Sequence, residues 1–234
     1  MAHFLVIAGS SDIGRATKEL LAAHGHVVTS TARPPQSGDI ALDATDFTAV
    51  EQAFSKATEM HGPIDGVVNC AGSLWLKPAH MTSADQYRAV IDASLTTAFA
   101  VVRAAAKQMT AGGSVVLISS AAAHEGLANH EAIAAAKAGV EGLMRSAAAT
   151  YAGQNLRFNA VAPGLVQTRM TKALTANDMS RKVSESMHAL GRLGEPDDIA
   201  RAIVFLLDPA NDWITGQVLG VDGGLGGIRP RTKI

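Results

Sequence analysis

In the stretch NHEAIAAAKAGV (Asn129–Val140), Lys137 sits on an alanine-rich helical pattern, where an ammonium can assist a proton transfer or hold a hydroxyl-bearing ligand. One turn earlier, where a proton donor working with that lysine is expected, stands Ile133, which has no proton to give. A second constellation lies near the start of the chain. In VIAGSSDIGRA, residues Gly9, Ser10, Ser11, Asp12, Ile13 and Gly14 follow a short apolar run and open a helical pattern. A helix start offers free N–H groups and the positive end of its macrodipole to an anion. Glycines let the backbone approach that anion, and serines can add hydroxyls. When such a loop follows the first strand of a βαβ unit, a dinucleotide's pyrophosphate binds there. The end of the next apolar run, TSTARPP, then meets the adenosine ribose. It offers no acidic residue to hold both ribose hydroxyls, and Arg33 matches the 2′-phosphate of NADP(H) instead. NADP(H) is therefore the preferred cofactor and NAD(H) the alternative. A solvated arginine ahead of a Pro34-Pro35 turn would leave the same letters.

These groups need a frame, and the chain supplies one by alternation. FLVIA (Phe4–Ala8), HVVTST (His26–Thr31), DGVVN (Asp65–Asn69), SVVLIS (Ser114–Ser119), LRFNAV (Leu156–Val161) and GQVLGV (Gly216–Val221) read as strands, with DIALD (Asp39–Asp43) as a short one. Helical patterns fall between them, over Ile13–His24, Phe47–His61, Ser83–Met109, Glu131–Ala152 and Asp197–Leu207. Runs such as VVLI are apolar on both faces, as strands covered by helices on each side must be. The expected fold is α/β: a Rossmann-like, doubly wound parallel sheet of about seven strands with helices on both faces, built from residues 1–234 as a single domain. Only the end, GGLGGIRPRTKI, looks loose.

Bulk properties narrow the function classes. A formal charge of −1, from 20 basic and 21 acidic residues, gives no electrostatic case for nucleic acid or for an acidic membrane surface. Cys70 is the one cysteine, so no internal disulfide framework exists and a reducing compartment is expected. Apolar residues make up 47% of the chain, yet no uninterrupted apolar run approaches a membrane span, and MAHFLVIAGSS lacks the basic start of a signal peptide. A soluble cytoplasmic protein is the expectation.

Several ordered motifs resemble the short-chain dehydrogenase/reductase family, above all its β-ketoacyl-carrier-protein reductases. Beside the glycine loop these are LDATD (Leu42–Asp46), VNCAG (Val68–Gly72), GSVVLISS, AAAKAGVEGL, RFNAVAPGLVQTRM, GRLGEPDDIA and TGQVLGVDGG, which together cover nearly the whole chain. The resemblance implies a group of Asn, Ser, Tyr and Lys working beside a nicotinamide: serine orients a carbonyl, tyrosine passes a proton, lysine lowers the tyrosine pKa and holds the ribose, and asparagine keeps a relay water. Carried onto this chain, the serine falls on Ser120 and the lysine on Lys137, while the tyrosine site holds Ile133 and the asparagine site Ser94. Ser119 is expected to point to the other face of its strand end. The resemblance also gives cofactor contacts to Asp43, Asn69, Ala71, Gly72, Pro163, Gly164, Val166 and Thr168. The glycine loop departs from the family pattern at Ala8 and Asp12; Asp12 could cap the helix, and it brings a negative charge towards the pyrophosphate.

A substitute acid is conceivable in His130, three residues before Ile133 on a helix, or in His124 after Ser120; both also read as ordinary polar residues. Ile133 itself could simply widen the apolar face by which this helix packs on a symmetry mate. Thr171–His188, with Met170, Leu174, Met179 and Met187 in or beside it, would suit an apolar substrate or serve as lid packing. The segments GRLGEPDDIA and TGQVLGVDGG resemble the family's tetramer contact, which makes a homotetramer or homodimer the expected assembly. Three functions fit: a carbonyl–alcohol oxidoreductase with an atypical proton donor, a silent NADP(H) binder acting as sensor, regulator or partner subunit, and a scaffold that binds no nucleotide.

Overall fold

The computed structural model describes residues 1–34 and 38–229. Seven parallel strands form one sheet in the order β3-β2-β1-β4-β5-β6-β7. They are β1 (His3–Ile7), β2 (Val27–Ala32), β3 (Ile40–Ala41), β4 (Gly66–Asn69), β5 (Gly113–Ile118), β6 (Leu156–Pro163) and β7 (Val218–Val221). Each β1 residue points to the face opposite its neighbour. Phe4 and Val6 join Val68, Val116 and Val161 under α1 (Asp12–Ala23) and α7 (Pro196–Leu207). Leu5 and Ile7 join Val67, Val115 and Leu117 under α2 (Phe47–His61), α4 (Thr97–Gln108) and α5 (Glu131–Tyr151). Two apolar cores thus cover both faces of the sheet, the arrangement expected from its unbroken apolar strands. The tail beyond residue 229 and the second proline of TSTARPP lie outside the described residues.

The long helical pattern Ser83–Met109 is not one regular helix. Ser83 caps α3 (Ala84–Ile91) in a capping box with Gln86, and a π-helical turn, Asp92–Thr96, separates α3 from α4. One widened turn adds a single residue to an otherwise helical pattern, too short an interruption to read as a break between helices. The Thr97 hydroxyl donates to the carbonyls of Ala93 and Ser94 at 3.0 and 3.2 Å, satisfying groups the wide turn frees. By length and composition Ala84–Gln108 could cross a membrane, but Val90, Ala98, Val101, Val102 and Ala105 are buried in the two cores this segment touches, as in a core helix.

Helix α5 explains where a lysine can be buried. Ile133, Ala136, Lys137, Val140, Glu141, Met144, Ala147 and Ala148 form its inward stripe at three- and four-residue spacing, so two charged side chains enter the stripe and need polar partners. On β6, buried Arg157 donates to the carbonyls of Ile214, Leu206 and Asp208 at 3.0–3.2 Å, tying the end of α7 to the sheet. The methionine-bearing segment Thr171–His188 contains a 3₁₀ turn, Lys172–Thr175, followed by α6 (Asp178–Met187), whose Met179 and Met187 are exposed.

The β1–α1 turn is tight. Ala8 takes a left-handed backbone with φ of 56°. A Cβ on Gly14 would stand 2.5 Å from the Ala8 carbonyl oxygen, so only glycine lets the helix come this close to the turn. Ala8 carries the steric cost of an L-residue in that conformation, about 1 kcal/mol. Ala8→Gly should therefore raise the unfolding free energy by about 1 kcal/mol, visible as a higher denaturant midpoint with unchanged slope. A lower midpoint would show that the Ala8 methyl is needed for packing.

Candidate dinucleotide cleft

The C-terminal ends of β1, β2 and β4, the first turn of α1 and the loop after β6 surround a cleft of about 510 Å³. Thr31, Arg33, Leu42 and Ala44 line one end, Ser10 to Ile13 the middle, and Cys70 to Ser73 with Ile118 and Thr168 the other end. Strand order reverses between β1 and β4, so the crevice lies at the switch point where doubly wound sheets bind ligands.

At the first end Arg33 lies 3.3 Å from a carboxylate oxygen of Asp43. Asp43 also accepts from the amide and hydroxyl of Thr45, which, with Arg33, hold its carboxyl below the usual range. Leu42 and Ala44 face the cleft and Asp43 does not, so Asp43 orients Arg33 from beside it.

In the glycine loop the cap is Ser11 and not Asp12. The Ser11 hydroxyl accepts from the Gly14 amide at 3.1 Å and donates to the Ala8 carbonyl at 2.8 Å, so it is committed to the turn. Asp12 is the first helical residue, and the left-handed position falls on Ala8. Ser10 lines the cleft beside the Asp12 and Ile13 amides, and Gly9 packs on Ser30, where a Cβ would come within 2.7 Å of that side chain.

At the other end Asn69 is buried and turned inward. Its Oδ1 accepts from the Ala71 amide at 3.1 Å, and its Nδ2 donates to the Thr97 hydroxyl at 3.2 Å. It therefore shapes the turn that presents Ala71 and Gly72 instead of lining the cleft itself. A Cβ on Gly72 would stand 3.6 Å from the Lys137 ammonium, which places Lys137 behind the cleft-lining residues Gly72 and Ile118. Lys137 is buried and donates to the Ile118 carbonyl at 2.7 Å; burial pushes its pKa down to about 8. Burial pushes the neighbouring Cys70 thiol up to about 12, with Lys137 acting in the opposite direction.

The other residues suggested by the resemblance are dispersed. Ser120 accepts from the Ala122 amide at 3.2 Å and starts a 3₁₀ turn; Ser119, as expected, turns the other way and donates to buried Glu141 at 2.6 Å. Ser94 lies in the π turn, buried, its hydroxyl without a partner among the described residues. Ile133 is buried with Val90, Ala132 and Ala136, and Trp75 and Leu76 pack on that cluster. It is covered within its own chain. His130 sits at the start of α5 with Nδ1 2.7 Å from the Ala128 carbonyl, while His124 lies 3.3 Å from Glu141, two turns of α5 beyond Ile133. Neither histidine lines the cleft. After β6 only Thr168 of the suggested set does. Pro163 and Val166 are buried, and Gly164 faces His188, whose Nε2 would be 2.8 Å from a Cβ there. Sequence reading missed Cys70, Ser73, Thr97 and Arg169 as cleft residues. The partner of Arg169 is Asp12, 157 positions away, so no local spacing could have signalled it.

Comparison with known proteins agrees with this architecture. A family model described as enoyl-(acyl carrier protein) reductase matches residues 7–226. The 3-oxoacyl-(acyl-carrier-protein) reductase FabG of Thermotoga maritima is 32% identical, over 94% of this chain and 96% of the relative. A short-chain type dehydrogenase/reductase from Mycobacterium ulcerans superposes with a TM-score of 0.90 at 31% identity, covering 98% of this chain and 91% of that one. The structure of ElxO with NADP bound superposes with a TM-score of 0.89 at 28% identity, covering 96% and 98%. The chain belongs to the short-chain dehydrogenase/reductase family of oxidoreductases and resembles its 3-oxoacyl-(acyl-carrier-protein) reductase members.

Proposed function

We propose that this chain is an NADP(H)-dependent oxidoreductase that interconverts a carbonyl and an alcohol, with a proton source other than residue 133. The observation that carries this reading is Lys137: an ammonium buried behind Gly72 at one end of the cleft, at a cost to the fold, and bonded among the described residues only to the Ile118 carbonyl. The cleft fits a dinucleotide, since Arg33 stands at the end for a 2′-phosphate and the α1 amides in the middle for a pyrophosphate. When bound, the nicotinamide supplies the hydride chemistry. Lys137, behind Gly72 at that end of the cleft, holds the ribose and is the proton source we assign in place of a phenol. Ser120 follows β5, and among the described residues its hydroxyl donates to no partner, which leaves it to meet a carbonyl oxygen. Exposed Met179 and Met187 on α6 fit an apolar substrate.

A second reading, a chain that holds NADP(H) without turnover as sensor, regulator or partner subunit, draws support from the apolar cluster around Ile133, over which Trp75 and Leu76 pack. The non-binding scaffold has less support, because Ala8 adopts the required turn and the Asp12 charge is met by Arg15 and Arg169. We also infer a single domain, a cytoplasmic setting, and assembly as a homotetramer or homodimer. Trp213, 96% exposed, and half-exposed Phe205 beside the edge strand β7 support the assembly.

Titration with NADPH and with NADH, followed by a panel of carbonyl substrates, tests the reading: turnover supports the oxidoreductase, binding without turnover the silent holder. Ile133→Tyr should raise carbonyl reduction by about tenfold or more, since a positioned general acid is worth about 10²–10⁴ in rate; no gain would mean that the Trp75–Leu76 cover excludes a phenol from the cleft. Arg33→Ala should weaken NADPH about tenfold while leaving NADH nearly unchanged, and equal losses would discard the 2′-phosphate role. For Lys137 the folded pKa lies below the unfolded one, so the unfolded chain binds more protons above pH 8 and stability rises with pH through that window. Denaturant titrations of wild type and Lys137→Met at pH 7, 8 and 9 should show that rise in the wild type alone; parallel curves would refute a buried, depressed ammonium.

A further inference from the structure

Asp12 reads in the sequence as a liability, a carboxylate where a pyrophosphate would sit. Across the cleft Arg169, from the loop after β6, meets it. The Arg169 amide donates to Asp12 Oδ2 at 2.7 Å, its Nε donates to Oδ1 at 3.0 Å, and its terminal nitrogen donates to the Ser10 carbonyl. Asp12 is nearly covered while the Arg169 side chain is largely exposed, and both line the cleft. A guanidinium beside a helix start is disfavoured by the positive end of the macrodipole, and the Asp12 carboxylate in that first turn offsets this. Of five guanidinium N–H groups, Asp12 and Ser10 use two, and the others have no acceptor among the described residues. The Asp12 and Ile13 amides likewise have no acceptor among the described residues, and the Thr168 hydroxyl lies beside Arg169 on the same wall. Donors from two walls thus converge on one strip of the cleft.

Resting on the dinucleotide reading above, we propose that Arg169 is a further cofactor-binding residue, which grips the pyrophosphate from the β6 side while Asp12 holds it in place as counter-ion. The fork of a guanidinium suits two phosphate oxygens, and here it comes already fixed at one edge. It supplies the cation that the departure at Asp12 would otherwise deny the loop. Because the pyrophosphate is common to both nucleotides, Arg169 contributes to both alike, unlike Arg33.

The test is fluorescence titration of wild type, Arg169→Ala, Arg169→Lys, Asp12→Asn and the Arg169→Ala/Asp12→Asn double variant with NADPH and NADH, each variant's fold checked by circular dichroism. Arg169→Ala should weaken both nucleotides by the same factor, about tenfold or more, with Arg169→Lys recovering part of the loss. In the Asp12→Asn background the same substitution should still weaken both. Unchanged affinity in Arg169→Ala overturns the proposal. So does a loss that disappears once Asp12 is neutral, which would mean that Arg169 only screens the carboxylate. Failure of the wild type to bind either nucleotide would instead sink the dinucleotide reading, and this proposal with it.

Discussion

A parallel sheet has no face to spare for water, and its strand order decides where a ligand can enter. Here the order runs outward from the β1–β4 pair in both directions. The chain leaves β1 towards α1 on one face and leaves β4 towards α3 and α4 on the other. The loops following these two strands must therefore part, and the gap between them is the cleft. Ala8, Ser11 and Gly14 then make one side of the gap, and Asn69 with Thr97 fixes the other. The site is a consequence of how the sheet is wound, with polar groups spent on shaping its rim.

Much of that shaping was legible in the letters. Apolar runs gave the strands, because a strand buried on both faces cannot hide its composition; the alanine-rich stretches gave the helices between them. The glycine loop was legible from its letters, and the structure gives the reason for Gly14: a Cβ there would stand 2.5 Å from a carbonyl oxygen. What stayed hidden was which member of a polar pair does which task. Ser11 and Asp12 are both good caps by type, and only geometry tells that Ser11 caps while Asp12 reaches Arg169. Asn69 and Gly164 come from motifs associated with cofactor contact, yet in this structure one braces a turn and the other makes room for His188. The π turn at Asp92–Thr96 interrupts the helical pattern too briefly for spacing to separate two helices.

Lys137 and Ile133 show the tension that such a reading has to resolve. They lie one turn apart on the inward stripe of α5, so the same packing that buries one buries the other. For Ile133 burial is favourable and needs no partner. For Lys137 it is opposed by desolvation, and one carbonyl at 2.7 Å offsets only part of the loss. A helix selected for packing alone would place a hydrophobe at both positions. That an ammonium occupies the second, close behind cleft-lining Gly72, is a local conflict of the kind that folds tolerate where a ligand repays it.

The same logic separates two acidic side chains drawn into this structure, Glu141 and Asp12. Glu141, one turn beyond Lys137, is buried against Ser119, with His124 and Arg145 at its outer edge, so its charge is answered within α5 and the end of β5. Asp12 is answered from 157 residues away, by a segment that closes the far wall of the cleft. A charge paired across an opening couples two loops from distant parts of the chain, and any anion entering between them must meet both members of the pair. Electrostatics at the mouth of the cleft is therefore a property of the loop pair, and the negative residue in the glycine loop cannot be judged without the arginine that faces it.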